Sequence, residues 1–323
     1  MTTAERDPPF DVLVLGAGLR GLREALATRR ATPGTQLLVV DRAPQPGGTV
    51  RTTRTNGFVC EHGPIGFWRD ELDATLALLP HAPTPLAALP GAAKGLVFDG
   101  ERGCYAIDVL ELPWSFRTGN EELVQACRRE LGNTLRLGRA VTAISAVTGG
   151  GFHVALAGDP PGELHARELQ VVLPLDVTAS LLGAFDPALP DVAARLRHER
   201  RALVWLGGDA ATMPEAQGYG IVPARGLESP LLEVVFCTQV FAGRALPGRT
   251  LVRCEVVLPE GADETVAIAL AERELRTWTG TQATFGLQKA APFVHLHEDD
   301  AAAIECRSRL RELALRVPGL RLP

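Results

Sequence analysis

The sequence predicts an α/β chain in which a parallel, helix-covered unit is interleaved with a smaller, mixed α+β unit. Three observations predict it. An apolar run, Phe10 to Leu15, enters Gly16-x-Gly18-x-x-Gly21, and a helical pattern follows. A second apolar run, Leu37 to Val40, ends in Asp41, and the pair Gly47-Gly48 comes six residues later. Further on, strand-like segments follow one another without intervening helices, so the chain begins as α/β and continues as mixed sheet. No internal repeat is visible.

Each element follows in order. In the first helix, Leu19, Leu22 and Leu26 recur at helical spacing, and Arg20, Arg23, Arg29 and Arg30 form its wet face. Residues 57–61 alternate toward a short strand that His62-Gly63-Pro64 breaks. A helix is expected over 70–79, a Pro/Ala/Gly connector over 80–95, and short strands near 96–98 and 104–109. Asn120 is placed to cap a helix running to Leu131, with Leu123, Cys127 and Leu131 on one face. Strands are expected at 139–147, 151–157 and 163–173, then at 201–207, 231–238 and 250–258. Helices over 263–278 and 298–316 close the pattern, the last with Ala303, Cys306, Leu310, Leu313 and Val317 together.

The first of these segments has a chemical reading. Gly16 permits a tight turn, Gly18 leaves no Cβ in the way of a phosphate, and Gly21 lets the helix pack on the strand. The helix N-terminus would present N–H groups and the positive end of its dipole to a pyrophosphate. Asp41, twenty residues after Gly21, is placed to accept hydrogen bonds from ribose hydroxyls. A 2′-phosphate would be repelled there, with Arg42 softening the repulsion. The spacing is that of a Rossmann-like dinucleotide site, and the added Gly47-Gly48 pair points to FAD.

Composition removes other classes. A formal charge of −5 and only 5% aromatic residues give neither the basic field nor the stacking platforms of a nucleic-acid binder. The cysteines, Cys60, Cys104, Cys127, Cys237, Cys254 and Cys306, form no CxxC, so neither a disulfide framework nor a metal site is expected. No apolar run reaches the length of a membrane span, and a cytoplasmic protein is the expectation. His295 and His297, with Glu298 and Asp299, read as a strand end entering a helix with an acidic first turn rather than as metal ligands. His62 reads as a turn histidine, and Arg117 as a solvated arginine.

From residue 10 onward the sequence resembles the protoporphyrinogen oxidases, within the flavin-containing amine oxidases and phytoene desaturases. The segments that carry the likeness are GAGLRGL, VVDRAPQPGGTVRT, GFVCEHGP, SFRTGNEELVQACRREL, RAVTAIS, LQVVLPLDVTASLL, GYGIVP, VVFCTQVFAGRALPG and the closing PFVHLHEDDAAAIECRSRLRELALRVPGL. The resemblance implies a GR2-type FAD-binding unit from residues 1–68, 113–180 and 298–323, interleaved with a reduced substrate-type unit from 69–112 and 181–297. It implies FAD contacts at Gly16, Gly18, Leu19, Gly21, Asp41, Arg42, Gly47, Gly48, Arg51 and Thr52. Gly63 and Pro64 would lie near the isoalloxazine, and Val141 on the adenine side.

The same resemblance implies hydride transfer from a tetrapyrrole-like porphyrinogen to flavin N5, with dioxygen as acceptor. No catalytic base is identified, because the cofactor carries that chemistry. Peripheral membrane contact belongs to the same expectation. In two places the chain differs from the family pattern. The interval 68–113 is short, and the sequence ends at VPGLRLP where the family continues with a strand, a Gly-Asp pair and a helix facing the flavin. A non-catalytic binding or partner protein, or an amine oxidase or desaturase acting on another substrate, are the alternative readings.

Overall fold

The computed structural model describes residues 9–101, 103–158, 160–213 and 215–322. The first eight residues and Pro323, assigned above to the first unit, lie outside the described residues.

The chain opens with β1 (Phe10–Leu15), α1 (Leu19–Ala31) and β2 (Leu37–Val40), then the hairpin β3 (Thr52–Thr55) and β4 (Phe58–Glu61). After α2 (Arg69–Leu76) come the short strands β5 (Pro85–Ala87), β6 (Lys94–Phe98), β7 (Cys104–Asp108) and β8 (Trp114–Phe116). Next are α3 (Glu121–Leu131), β9 (Leu135–Arg136), β10 (Val141–Ala146), β11 (Phe152–Leu156) and β12 (Gly162–Val171). Two short helices, α4 (Leu175–Leu181) and α5 (Leu189–Ala194), lead to β13 (His198–Asp209). The remainder is β14 (Gly220–Pro223), β15 (Leu231–Phe236), α6 (Cys237–Val240), β16 (Arg249–Val257) and α7 (Glu264–Thr279). It ends with β17 (Phe285–Leu296), α8 (Ala301–Arg316) and β18 (Leu320–Arg321).

Two seven-stranded sheets organise these elements. The first runs β10-β11-β12-β1-β2-β9, with β18 alongside β12. Its core pairs, β12 with β1, β1 with β2 and β2 with β9, are parallel, whereas β10, β11 and β12 form an antiparallel meander. Val12 to Leu15 of β1 and all of β2 read as unbroken aliphatic runs because both faces of a parallel sheet are covered. Val12, Val14, Leu37 and Val39 pack with α1 and α3, while Leu13, Leu15, Leu38 and Val40 pack with α8. Leu182, Leu189, Val192 and Leu196, from α4, α5 and their flanks, join that second cluster beside α8.

The second sheet runs β17-β13-β16-β15-β14-β6-β7 and is antiparallel except where β14 meets β6. α7 packs on one face through Ala267, Ala271, Leu275 and Trp278. The opposite face, around Leu203, Trp205, Val235 and Leu251, receives Phe58 and Cys60 of the β3–β4 hairpin. That hairpin joins the second sheet to the start of α3, through Thr52 and Glu61.

Several expectations need correction. The connector over 80–95 contains β5 and a short 3₁₀ turn, because Pro85–Ala87 pairs with Trp114–Phe116. β14 and the twelve-residue β17 carry no clear alternation; β17 is an edge strand, the position in a sheet where a proline such as Pro292 is tolerated. The last helix begins at Ala301, so Glu298 and Asp299 precede it and Asp300 is its N-cap rather than an acid of its first turn. Asn120 stands at the N-cap of α3 but makes no cap bond, because its side chain is drawn into a buried network. A short strand, β18, follows the last helix. Leu320 and Arg321 pair in parallel with Leu169 and Gln170.

Candidate functional site

The turn between β1 and α1 is fixed by its glycines in three different ways. Gly16 has φ +107°, and a Cβ there would lie 2.3 Å from the Val172 carbonyl oxygen. A Cβ on Gly21 would lie 1.9 Å from the Gly16 oxygen, so helix and turn touch backbone to backbone. Gly18 is extended, at φ −62° and ψ 166°, and a Cβ there would meet nothing within 4 Å. The protein therefore needs glycine at 16 and 21 for packing, but at 18 it has left open space. That space faces the N-terminus of α1, which has no side-chain cap and no acid in its first turn. Helix N–H groups lacking internal partners and a dipole without a counter-charge are what a pyrophosphate requires.

Gly47-Gly48 closes the same cradle. The Gly47 N–H donates to the Ala17 carbonyl at 2.7 Å, and Gly18 and Gly47 form an isolated parallel bridge. Gly47 and Gly48 have positive φ, and a Cβ on Gly48 would lie 3.2 Å from Gly18 Cα. Asp41 braces this turn. Its Oδ2 accepts from the Ala17 N–H at 2.6 Å and its Oδ1 from the Ala43 N–H at 2.8 Å. Leu19 is half-buried at the helix start, and Arg42 and Arg51 are exposed. Thus Gly16, Gly18, Leu19, Gly21, Asp41, Gly47 and Gly48 are brought together, and their backbone fits a dinucleotide pyrophosphate. Val141 stands at the start of β10 opposite Leu156, two residues after Arg139, whose N–H donates to the Asp41 carbonyl at 2.9 Å.

Thr52, Gly63 and Pro64 belong to the hairpin region. Thr52 is buried and donates through Oγ1 to Glu61 Oε2 at 2.8 Å while accepting from the Glu121 N–H at 3.1 Å. Glu61, 2% exposed, also accepts from the Asn120 N–H and lies 3.6 Å from Arg244 Nη2. Arg244, 1% exposed, donates to the Phe116 carbonyl at 3.1 Å and to Ser115 Oγ. Burial raises the Glu61 carboxyl above the usual range against the pull of Arg244, and burial likewise lowers Arg244. This buried pair ties the hairpin to the loop after α6.

His62 follows Glu61. Its Nε2 is 2.7 Å from Thr53 Oγ1, its Nδ1 is buried without a partner, and its ring lies 4.6 Å from that of Trp205. Burial, then Arg51 and Lys289, push its pKa down, so the neutral imidazole is favoured. Gly63 and Pro64 come next, and the Gly63 carbonyl accepts from Arg253 at 2.6 Å. Glu61, Arg244, Trp205 and Arg253 carried no functional signal in the sequence. Glu61 falls within the GFVCEHGP segment and Arg244 within VVFCTQVFAGRALPG, whereas Arg253 lies in none of the segments that carry the likeness; both arginines act across more than a hundred residues.

The other candidates are plainer. Arg117 is exposed. The rings of His295 and His297 are 5.5 Å apart, with His297 Nε2 3.8 Å from Glu199. Among the described residues no group of three His, Cys, Asp or Glu side chains is arranged to hold a metal ion, and no helix is long and apolar enough to cross a membrane. Cys104 is exposed and the other five cysteines are buried, with burial pushing the Cys60 and Cys127 thiols up to about 12.

Residues 14–79 match the family described as NAD(P)-binding Rossmann-like domain. Protoporphyrinogen oxidase 1, chloroplastic, of Spinacia oleracea is 26% identical over 147 residues, which is 43% of this chain. The match spans about a quarter, 26%, of the spinach protein's length. Among solved structures, a proposed protoporphyrinogen oxidase from Exiguobacterium sp. 255-15 superposes with a TM-score of 0.76 at 16% identity, covering 98% of this chain and 93% of that one. Reduced UDP-galactopyranose mutase gives 0.72 at 10% identity, covering 98% and 88%. Putrescine oxidase bound to putrescine gives 0.71 at 11% identity, covering 98% and 93%. At these identities the solved structures share the fold.

Proposed function

We propose that this chain, which is similar to the protoporphyrinogen oxidases in sequence and to flavin-dependent oxidoreductases in fold, is an FAD-dependent oxidoreductase. One observation carries the reading. The uncapped N-terminus of α1 opens onto the one glycine of the turn, Gly18, that packing does not require. A second glycine pair, Gly47-Gly48, is bonded against it.

In this reading the N–H groups at the start of α1 hold the pyrophosphate, and Asp41 shapes the turn beneath it while offering its remaining lone pairs to the ribose. Arg51 and Thr52 lead the chain from the cradle to the hairpin, and Gly63 and Pro64 line the isoalloxazine. Bound FAD supplies the redox chemistry, accepting a hydride equivalent from the substrate. The substrate would lie on the side of the second sheet opposite α7, next to the hairpin and the Gly63-Pro64 turn. Our substrate reading is a porphyrinogen-like conjugated ring with dioxygen as acceptor. An amine is the second reading, because putrescine oxidase and the Exiguobacterium protein resemble this chain to a similar degree in fold, with TM-scores of 0.71 and 0.76.

The absorption spectrum of the purified protein, before and after incubation with FAD and desalting, tests the reading. Retained flavin bands that bleach anaerobically with protoporphyrinogen support it in full. Bleaching by a polyamine instead moves the substrate assignment to the amine. A folded protein that stays colourless refutes the flavin reading and leaves a non-catalytic binding protein.

A further inference from the structure

Arg253 lies on β16, 6% exposed, opposite Val235 of β15 and Trp205 of β13. Its guanidinium reaches 190 residues back along the chain. Nη1 donates to the Gly63 carbonyl at 2.6 Å, while Nη2 lies 3.5 Å from Glu233 Oε2. The peptide group between Gly63 and Pro64 has no N–H, so its carbonyl is its only anchor. On its other side Gly63 has no room, since a Cβ would lie 2.6 Å from the Thr49 carbonyl oxygen. The Pro64 carbonyl accepts from Asn120 Nδ2 at 2.8 Å. The turn is thus held from three sides, and among the described residues the charged donor to it, Arg253, comes from the second sheet.

We propose that Arg253 is a positioning residue for the bound flavin, acting through the Gly63 carbonyl to fix the turn that lines the isoalloxazine. This rests on the FAD reading above. A charged donor to a carbonyl makes a stronger bond than a neutral one. Arginine is suited to the place because one arm can hold the carbonyl while the other holds Glu233; a lysine offers a single compact charge and can replace only one of them. Burial raises the Glu233 carboxyl and Arg253 draws it back, in keeping with a pair held together away from solvent.

The test uses the full chain reconstituted with FAD, comparing wild type with Arg253→Met and Arg253→Lys. Affinity is read from flavin fluorescence, and the environment of the ring from the visible band shape and reduction potential of the bound flavin. Arg253→Met is expected to weaken FAD binding about tenfold, as losing a bond to a charged donor does, and to shift band shape and potential. Arg253→Lys is expected to fall between Met and wild type in all three readouts. A folded Met variant with wild-type affinity, bands and potential overturns the proposal, as does a Met variant that loses only thermal stability. Should the Met variant not fold, the Lys variant decides, and no shift in its bands or potential overturns the proposal. A wild type that takes up no FAD overturns the function and this inference together. A wild type that takes it up with indifferent Arg253 variants overturns this inference alone.

Discussion

The glycine turn and the hairpin junction are both rigid, but by opposite means. In the turn, backbone meets backbone. The Gly16 oxygen sits where a Gly21 Cβ would be, the Gly47 N–H bonds to the Ala17 carbonyl, and a single side chain, Asp41, braces the whole. At the junction, side chains do the holding, and they come from distant parts of the sequence. Glu61 meets Arg244, Thr52 and Asn120, and Gly63 meets Arg253. A backbone-built site leaves its donors free for a ligand, whereas a side-chain-built one spends them on the protein. The first region is therefore suited to binding, and the second to holding the hairpin and its turn against α3 and the second sheet.

The comparison can be broken at several points. The largest effect is expected at Gly21→Val, where a Cβ 1.9 Å from a backbone oxygen has nothing flexible to displace. Such overpacking exceeds the usual cost of about 1–3 kcal/mol. No cooperative thermal transition should be seen by circular dichroism. Next comes Glu61→Ala, which leaves Arg244 buried and unpaired at a cost of about 3–5 kcal/mol in denaturant titration. The double variant Glu61→Leu/Arg244→Met should recover most of that loss, because removing both charges is far cheaper than removing one. If the single and double variants lose the same stability, the pair is not what ties the hairpin to the loop after α6.

Asp41→Ala should cost about 1–3 kcal/mol, since it removes the acceptor of two turn N–H groups. The smallest effect concerns His62. Its folded-state pKa is lowered by burial, so the unfolded chain binds the extra proton more readily. Its contribution to stability is complete above the ordinary histidine value of about 6.5 and is lost as pH falls below it. His62→Gln should flatten the melting temperature between about pH 7 and 5. A slope unchanged by the substitution would assign the acid sensitivity to other groups.

How much of this the sequence disclosed follows from the same contrast. The turn was legible because its determinants are local and its glycines answer to sterics that no other residue satisfies. Helix faces were legible for a similar reason: Leu123, Cys127 and Leu131 repeat at 3.6-residue spacing and are all buried. β17 was not, because an edge strand with Lys289 and Pro292 has no face that must be apolar throughout. Asn120 has the sequence position of a cap, yet Ser115 and the Pro64 carbonyl compete for its side chain and win. Arg244 and Arg253 act through partners more than a hundred residues away, a distance that no local pattern encodes.

Gly18→Ala tests the central claim most directly, because the protein itself has no use for glycine at that position. The backbone there has φ −62°, which alanine adopts without strain. FAD titration and a thermal melt on this one variant are sufficient. The account predicts a melting temperature at or slightly above that of the wild type, with FAD affinity reduced about tenfold or more as the new methyl meets the pyrophosphate. Unchanged FAD affinity in a folded Gly18→Ala protein would contradict it, and the flavin would then have to be bound elsewhere.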